Sequence, residues 1–198
     1  MAIMKIIRLL VIVVCCSPLF WACSGDDGFY APKPRGYFRL SLPERNYRIF
    51  DSVFPFSFEI PEYTTVENDT AGYKGEYWFN ISWKDFKGKL HFSYKPLRNN
   101  LYQYTEDAHT FVYKHVPKAE DIVAEKIEYP ENKVFALLYH IDGPEAASPL
   151  QFYLTDSVTH YLRGALYFEH IPNNDSIQPI IEFVQNDIEH LISTFKWK

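Results

Sequence analysis

Asp156, Ser157 and His160 place a carboxylate, a hydroxyl and an imidazole within five residues of one another. These are the groups of a hydrolytic triad, in which the imidazole takes the serine proton and the carboxylate orients the imidazole. A triad needs its members to converge from separate elements, and no G-x-S-x-G turn surrounds Ser157. We therefore expect these residues to form a turn between two strands. A small envelope hydrolase that uses Asp156 or the histidines stays open as an alternative.

Histidines and acidic residues are the other groups that could bind a metal or transfer protons. His109 and His115 are six residues apart on a predicted helix, which places them on different faces of that helix. Acidic residues recur from Glu120 to Glu131, but the sequence has no calcium loop, no H-E-x-x-H motif and no Gly-rich phosphate loop. We therefore expect no catalytic residue, no metal site and no bound cofactor.

The amino terminus has the organisation of an export signal. Lys5 and Arg8 are followed by the apolar run Leu9–Val14, and no further charge occurs before Asp26. This pattern is typical of a secretory signal. The uncharged stretch from Leu9 to Gly25 is also just long enough to leave an uncleaved membrane anchor open, although Pro18 interrupts it.

Cys23 is the candidate lipid-attachment residue. The segment around it resembles a bacterial lipoprotein signal, which is cleaved before a cysteine that carries diacylglycerol. Ala22 supplies the small residue that this cleavage needs, whereas Phe20 and Trp21 depart from the usual pattern. We predict a signal peptide at residues 1–22, an acylated cysteine and tether at 23–36, and one globular domain at 37–198. Ordinary signal cleavage, without acylation, remains the other alternative.

Charge is distributed unevenly along the chain. The formal net charge of −5 excludes a general electrostatic affinity for nucleic acid. Five basic residues nevertheless cluster within residues 33–48, here named the basic segment: Lys33, Arg35, Arg39, Arg45 and Arg48. They could contact anionic lipid headgroups or an acidic partner, or simply form the solvated face of a first strand.

Aromatic residues make up 18% of the chain, which favours β-structure. Tyrosine is especially frequent, and exposed tyrosines are typical of protein contact surfaces. We expect that not all of seven tyrosines can find buried partners: Tyr63, Tyr73, Tyr77, Tyr102, Tyr104, Tyr113 and Tyr161.

Hydrophobic periodicity predicts strands, a helix, more strands and a final helix. The predicted strands are 37–42, 47–50, 54–60, 77–83, 89–94, 122–129, 134–141, 151–155 and 160–168. The first helix is predicted from Asn99 or Asn100 to His115. The final helix is predicted to be capped by Asp175 with Gln178, and to have Lys196 and Lys198 at its carboxyl end.

The predicted fold class is α+β, with an antiparallel sheet and two packed helices. The order of the elements resembles the Mog1/PsbP-type α/β/α sandwich. Each predicted helix has a single apolar face, which is why both should lie against the sheet.

Several longer motifs resemble the gliding motility lipoprotein GldD family of Bacteroidetes. They lie at residues 31–39, 90–95, 108–118, 151–157, 163–168, 172–176 and 193–198. The resemblance implies an acylated envelope protein of the gliding apparatus, which is tied to type IX secretion. The family has no established catalytic residues, so only the acylated cysteine, Cys23, is implied as a functional residue, with an acyl lipid as its covalent modification.

These observations together predict a non-enzymatic protein that is held to a membrane by its lipid and acts by binding partners. The expected partners are other lipoproteins and envelope components of the gliding and type IX secretion machinery. We expect it to face the periplasm. The alternatives are the small hydrolase and a lipid-binding or glycan-binding lipoprotein, which would need an apolar cavity between sheet and helix.

Overall fold

The computed structural model describes residues 36–37, 39–68 and 77–198. Ten strands and two α-helices are present in these ranges. The strands are β1 (Tyr47–Asp51), β2 (Phe56–Pro61), β3 (Thr65–Asn68), β4 (Phe79–Trp83), β5 (Gly88–Pro96), β6 (Asp121–Tyr129), β7 (Val134–Asp142), β8 (Leu150–Thr155), β9 (His160–Phe168) and β10 (Lys196–Trp197). The helices are α1 (Leu101–Tyr113), between β5 and β6, and α2 (Asn174–Thr194), between β9 and β10.

A seven-stranded antiparallel sheet forms the centre of the fold, with the strand order β3-β4-β5-β9-β8-β7-β6. Gly164 lies opposite both Phe92 of β5 and Phe152 of β8. A Cβ atom at this position would overlap the Phe152 ring. The glycine therefore leaves room for the Phe152 ring to lie against the backbone of β9 in the middle of the sheet.

Many of the aromatic side chains form the main hydrophobic core or pack against it. One face of the seven-stranded sheet packs against α2 and a smaller antiparallel sheet, β1-β2-β10. Buried phenylalanine rings from β1, β2, β4, β5 and β8 meet there, and Phe79 and Phe92 stack at 4.6 Å between ring centroids. Each buried phenylalanine stabilises the fold by about 1.5–3 kcal/mol relative to an exposed one.

Helix α1 covers the opposite face of the seven-stranded sheet. Its buried Val112 packs with Tyr139 and Ile141 of β7, whose neighbours Ala136 and Leu138 point into the main core. The molecule thus has helical packing on both faces of one antiparallel sheet. This confirms the predicted α+β class with two packed helices.

Most predicted elements are present within one or two residues. The β4–β5 hairpin, helix α1 and strands β6 to β9 match their predictions closely. Strand β3 was not predicted, because Thr65–Asn68 is only four residues long and lies beside loop residues.

The predicted strand at 37–42 is wrong. Gly36, Tyr37 and residues 39–46 have no helix or strand, whereas Phe38 lies outside the described residues. Alternation alone does not make a strand, because the backbone needs a neighbouring strand to pair with. The nearest sheet begins only at Tyr47.

The predicted cap of the last helix is also wrong. Helix α2 begins at Asn174, and the Gln178 side chain donates to Glu182 instead of closing a capping box. The helix start is fixed by Asn174, which is buried and donates from its side chain to the carbonyl oxygens of Gly143 and Ala146 at 2.8 and 2.9 Å. A tertiary contact has replaced a local cap.

Lys196 and Lys198 do not complete the last helix as predicted. The helix ends at Thr194, and Lys196 belongs to β10, which pairs with β2. The Lys198 ammonium instead pairs with Asp51 at 2.5 Å and donates to the carbonyl oxygen of Ser52.

Candidate functional site

Some of the predicted basic residues have exposed side chains, and others bind groups within the protein. Cys23, Lys33 and Arg35 lie outside the described residues. Arg39 is exposed and lies in the irregular segment that leads into β1. Arg48, on β1, donates to the carbonyl oxygen of Thr64 at 3.3 Å. Its guanidinium is thus partly used to hold the turn after β2.

Arg45 is part of a buried polar cluster, here named the Asp187 cluster. Its guanidinium lies 3.3 Å from Asp187, a residue of α2 that is only 1% exposed, and 4.5 Å from the ring centre of Phe183. A buried carboxylate needs several donors to offset its lost hydration. Arg45 supplies one of them, which makes it a poor candidate for contact with a membrane or a partner.

Three aromatic side chains complete the Asp187 cluster. Asp187 accepts hydrogen bonds from the Tyr63 hydroxyl at 2.7 Å, the Trp83 indole at 3.0 Å and the Tyr47 hydroxyl at 3.4 Å. Burial, followed by these contacts with Asp187, raises the pKa of both tyrosines above its ordinary value. Both carboxylate oxygens are therefore occupied, and the cluster joins β1, the turn after β2, β4 and α2 rather than offering a reactive group.

The residues of the possible triad form a turn, as predicted. Asp156 Oδ1 accepts hydrogen bonds from the backbone amides of Val158, Thr159 and His160, at 2.8–3.0 Å. Burial raises the pKa of Asp156, but these hydrogen bonds outweigh it, so the net shift is downward. The carboxylate stabilises the β8–β9 turn, in which Ser157 has a left-handed backbone with φ of 69°.

His160 lies in a surface cavity of about 380 Å³ that also involves Glu131 and Lys196. Its Nδ1 atom lies 2.7 Å from the Tyr94 hydroxyl, and its ring stacks on Trp197 at 5.0 Å. No ion pair joins Glu131 to His160 within residues 77–198. Among the described residues, the hydrogen bonds of His160 and Asp156 do not form the acid–histidine–serine chain of a catalytic triad.

A second cavity, of about 300 Å³, lies between α1 and the sheet. We name it the helix–sheet groove. Tyr104 and Phe111 line it from the helix, Lys95 from β5, and Tyr161 and Arg163 from β9.

Arg163 is the groove residue that sequence reasoning missed. It is half-buried, its Nη2 donates to Gln151 Oε1 at 2.6 Å, and its guanidinium lies 4.8 Å from the ring centre of Phe111. The Gln151 amide nitrogen in turn lies 3.0 Å from His115 Nε2. The available signal was an arginine within the buried run of β9, since arginine is rarely buried without a partner.

Not all of the tyrosines named in the sequence analysis find buried partners, as expected. Tyr102 and Tyr113 are exposed at 77% and 46%. Tyr161 is buried and donates to the carbonyl oxygen of Tyr104, and Tyr63 is bound to Asp187. Tyr73 lies outside the described residues. That the exposed tyrosines form a contact surface stays a prediction.

Two features are absent from the described ranges. No group of three or more His, Cys, Asp or Glu residues there could hold a metal ion. No described helix is long and apolar enough to cross a membrane.

Comparison with known proteins gives a family and a structural neighbour. The profile of the family described as "Gliding motility lipoprotein GldD" matches residues 27–197. No curated protein matches the chain. Among solved structures, the chain is similar to the cyanobacterial PsbP (CyanoP) of Synechocystis sp. PCC 6803, with a TM-score of 0.48 and 9% identity. That similarity covers 81% of this chain and 98% of the other.

Proposed function

The chain belongs to the gliding motility lipoprotein GldD family, and from this premise we propose that it is a lipid-anchored envelope protein that acts by binding other proteins. The proposed partners are lipoproteins and envelope components of the gliding and type IX secretion machinery. We propose a binding protein rather than an enzyme.

The observation that carries the binding role is the exposed apolar surface of the segment before β1. Tyr37, Leu40 and Leu42 are 46%, 38% and 41% exposed, and Arg39 lies between them. Tyrosine and arginine are enriched in protein interfaces, and the buried centre of an interface is more apolar than the rest of a protein surface. The proposed contact surface is therefore residues 37–42, together with Lys33 and Arg35.

We propose a smaller contact surface than the whole basic segment. Arg45 is engaged with Asp187, and Arg48 is bound to the backbone at Thr64. Replacing either residue would disturb the fold as well as any contact, because each holds an internal partner. The residues to replace are Arg35 and Arg39.

Co-purification from cells tests the contact surface. The Arg35→Ala, Arg39→Ala double variant should recover several-fold less partner protein than the parent, because charge-assisted contacts at the surface are lost. Arg98→Ala, which removes an exposed arginine in the loop before α1, is the matched control and should change nothing. Equal recovery from all three proteins would remove residues 33–42 as the contact surface.

Anchoring is proposed to occur through an acyl lipid on Cys23, with the folded domain facing the periplasm. A lipid anchor would keep residues 33–42 close to a membrane, where partner lipoproteins are also held. Cys23→Ala should abolish labelling by radioactive palmitate and shift the protein from the membrane fraction to the soluble fraction. Cys16→Ala is the control and should be labelled like the parent. Normal labelling of the Cys23 variant would show that the anchor is elsewhere.

A further inference from the structure

Two cations lie against aromatic rings in the helix–sheet groove. Arg163 lies over the ring of Phe111, and Lys95 Nζ is 5.1 Å from the ring centre of Tyr104. A cavity of about 300 Å³ is within the size range of sites for small molecules.

The two cations have no carboxylate partner in the described part of the chain. No Asp or Glu oxygen lies within 4.0 Å of Lys95 Nζ or of the Arg163 guanidinium there, and Arg163 has only the neutral Gln151 as a side-chain acceptor. Burial lowers the pKa of Arg163, which is the mark of a cation whose lost hydration is not fully replaced. An anionic group bound in the groove would supply the missing charge.

The remaining groove residues indicate what kind of molecule carries that anion. Tyr104 and Phe111 offer ring faces, against which the C–H face of a sugar or another flat ring can pack. Asp107 and Ser93 also line the groove and can exchange hydrogen bonds with hydroxyl groups. Hydroxyl partners favour a sugar ring over a purely hydrocarbon ring, which would leave these polar groups without hydrogen bonds.

We propose that the helix–sheet groove binds an acidic sugar, with its carboxylate between Lys95 and Arg163, its ring against Phe111 and Tyr104, and its hydroxyls near Asp107 and Ser93. The site lies on the α1 face of the seven-stranded sheet. The contact surface proposed above lies in residues 33–42, so the two proposals succeed or fail separately.

Titration calorimetry of the purified full-length protein in detergent micelles tests the proposal, with glucuronate as the probe. Glucuronate should bind, and glucose, which lacks the carboxylate, should bind at least tenfold more weakly. Benzoate, which has the carboxylate but no hydroxyls, should also bind more weakly than glucuronate. If glucose bound as tightly as glucuronate, the claim that the groove recognises an anion would be wrong. If benzoate bound as tightly, the claim that the ligand is a sugar would be wrong.

Variants locate the binding in the groove. Arg163→Gln and Lys95→Gln should each raise the dissociation constant of glucuronate about tenfold or more, because a charge-assisted hydrogen bond is lost. Arg98→Gln, outside the groove, is the matched control and should bind like the parent. Because Arg163 is half-buried, Phe111→Ala serves as an independent variant: Phe111 is 43% exposed, and its removal should weaken binding without unfolding the protein. Unchanged binding by Lys95→Gln and Phe111→Ala, or no binding of glucuronate to the parent at 10 mM (~10 times a typical weak-binding constant of 1 mM), would overturn the proposal.

Discussion

The Asp187 cluster and the helix–sheet groove bury opposite charges in opposite ways. Asp187 is almost fully buried, pairs with the guanidinium of Arg45 and accepts hydrogen bonds from two tyrosine hydroxyls and an indole. Arg163 is half-buried; among the described side chains, it donates a hydrogen bond to Gln151 and lies over the ring of Phe111. Removing one member of a buried, satisfied charge cluster is strongly destabilising, whereas a charge without a partner beside a cavity is available to a ligand.

The largest expected effect comes from breaking the closed site. Asp187→Ala should lower the free energy of unfolding by about 3 kcal/mol, because the arginine, the indole and both hydroxyls lose a common acceptor. Urea unfolding followed by circular dichroism measures this loss. Glu189→Ala, on an exposed position of the same helix, is the control and should stay within about 0.5 kcal/mol of the parent. A small loss for Asp187→Ala would mean that the cluster does not hold the four elements together.

A smaller effect should appear at alkaline pH. The pKa of Tyr63 is raised by burial and then by its hydrogen bond to Asp187, so the folded state keeps a proton that the unfolded state releases near pH 10.0. Stability is therefore complete below pH 10 and is lost as the pH rises above it. Above pH 10, the free energy of unfolding should therefore fall as the pH rises. Tyr63→Phe should make this fall less steep, by less than about 1.4 kcal/mol per pH unit, since Tyr63 is only half-buried.

The control for the alkaline prediction is Tyr102→Phe, because Tyr102 is 77% exposed. Urea unfolding at a series of pH values from about 8 to 11 compares both variants with the parent (a range that spans the ordinary tyrosine pKa). An identical slope in the parent and Tyr63→Phe would show that Tyr63 ionises equally easily in the folded and unfolded states.

The open site should give a weaker effect at acidic pH. Burial, followed by the positive charge of Arg163, lowers the pKa of His115 below 6.5. The unfolded state therefore binds a proton more readily, so this contribution is present above pH 6.5 and is lost as the pH falls below it. His115→Gln should flatten the pH dependence between about pH 6 and 5, by less than about 1 kcal/mol in total.

His109→Gln is the control for the acidic prediction, because His109 is exposed on α1, the helix that ends just before His115. Arg163→Met adds a second test of the cause, since removing the like charge should raise the pKa of His115 and also flatten the dependence. No change in either variant would contradict the link between His115 and the groove.

The smallest expected effect is on the stability of the groove itself. Arg163→Met should change the free energy of unfolding by less than about 1 kcal/mol at pH 8, because the lost hydrogen bond to Gln151 is offset by removal of a poorly hydrated charge. Urea unfolding measures this change directly. A loss as large as that of Asp187→Ala would make Arg163 a structural residue and remove the contrast between the two regions.

Sequence patterns predicted most of the fold because its elements are long or strongly periodic. Strands β5 to β9 and helix α1 were recognisable from alternation and helical spacing. The exceptions depended on distant contacts: the start of α2 is set by Asn174 bonds to the loop after β7, and β10 exists because β2 pairs with it. Residues 37–42 show the converse, since their alternation predicted a strand that no neighbour pairs.

The sequence by itself determined the family, the α+β class and the residue proposed to carry the lipid, because motifs, periodicity and the order of residues around Cys23 are local properties. Only the tertiary structure decided which charges are occupied and which are open. Arg45 and Asp187 are separated by more than a hundred residues, and Lys95 and Arg163 lie on different strands, so their surroundings follow from packing rather than spacing. A buried charge is costly unless another group pairs with it, and which group lies close enough to do so depends on the tertiary fold.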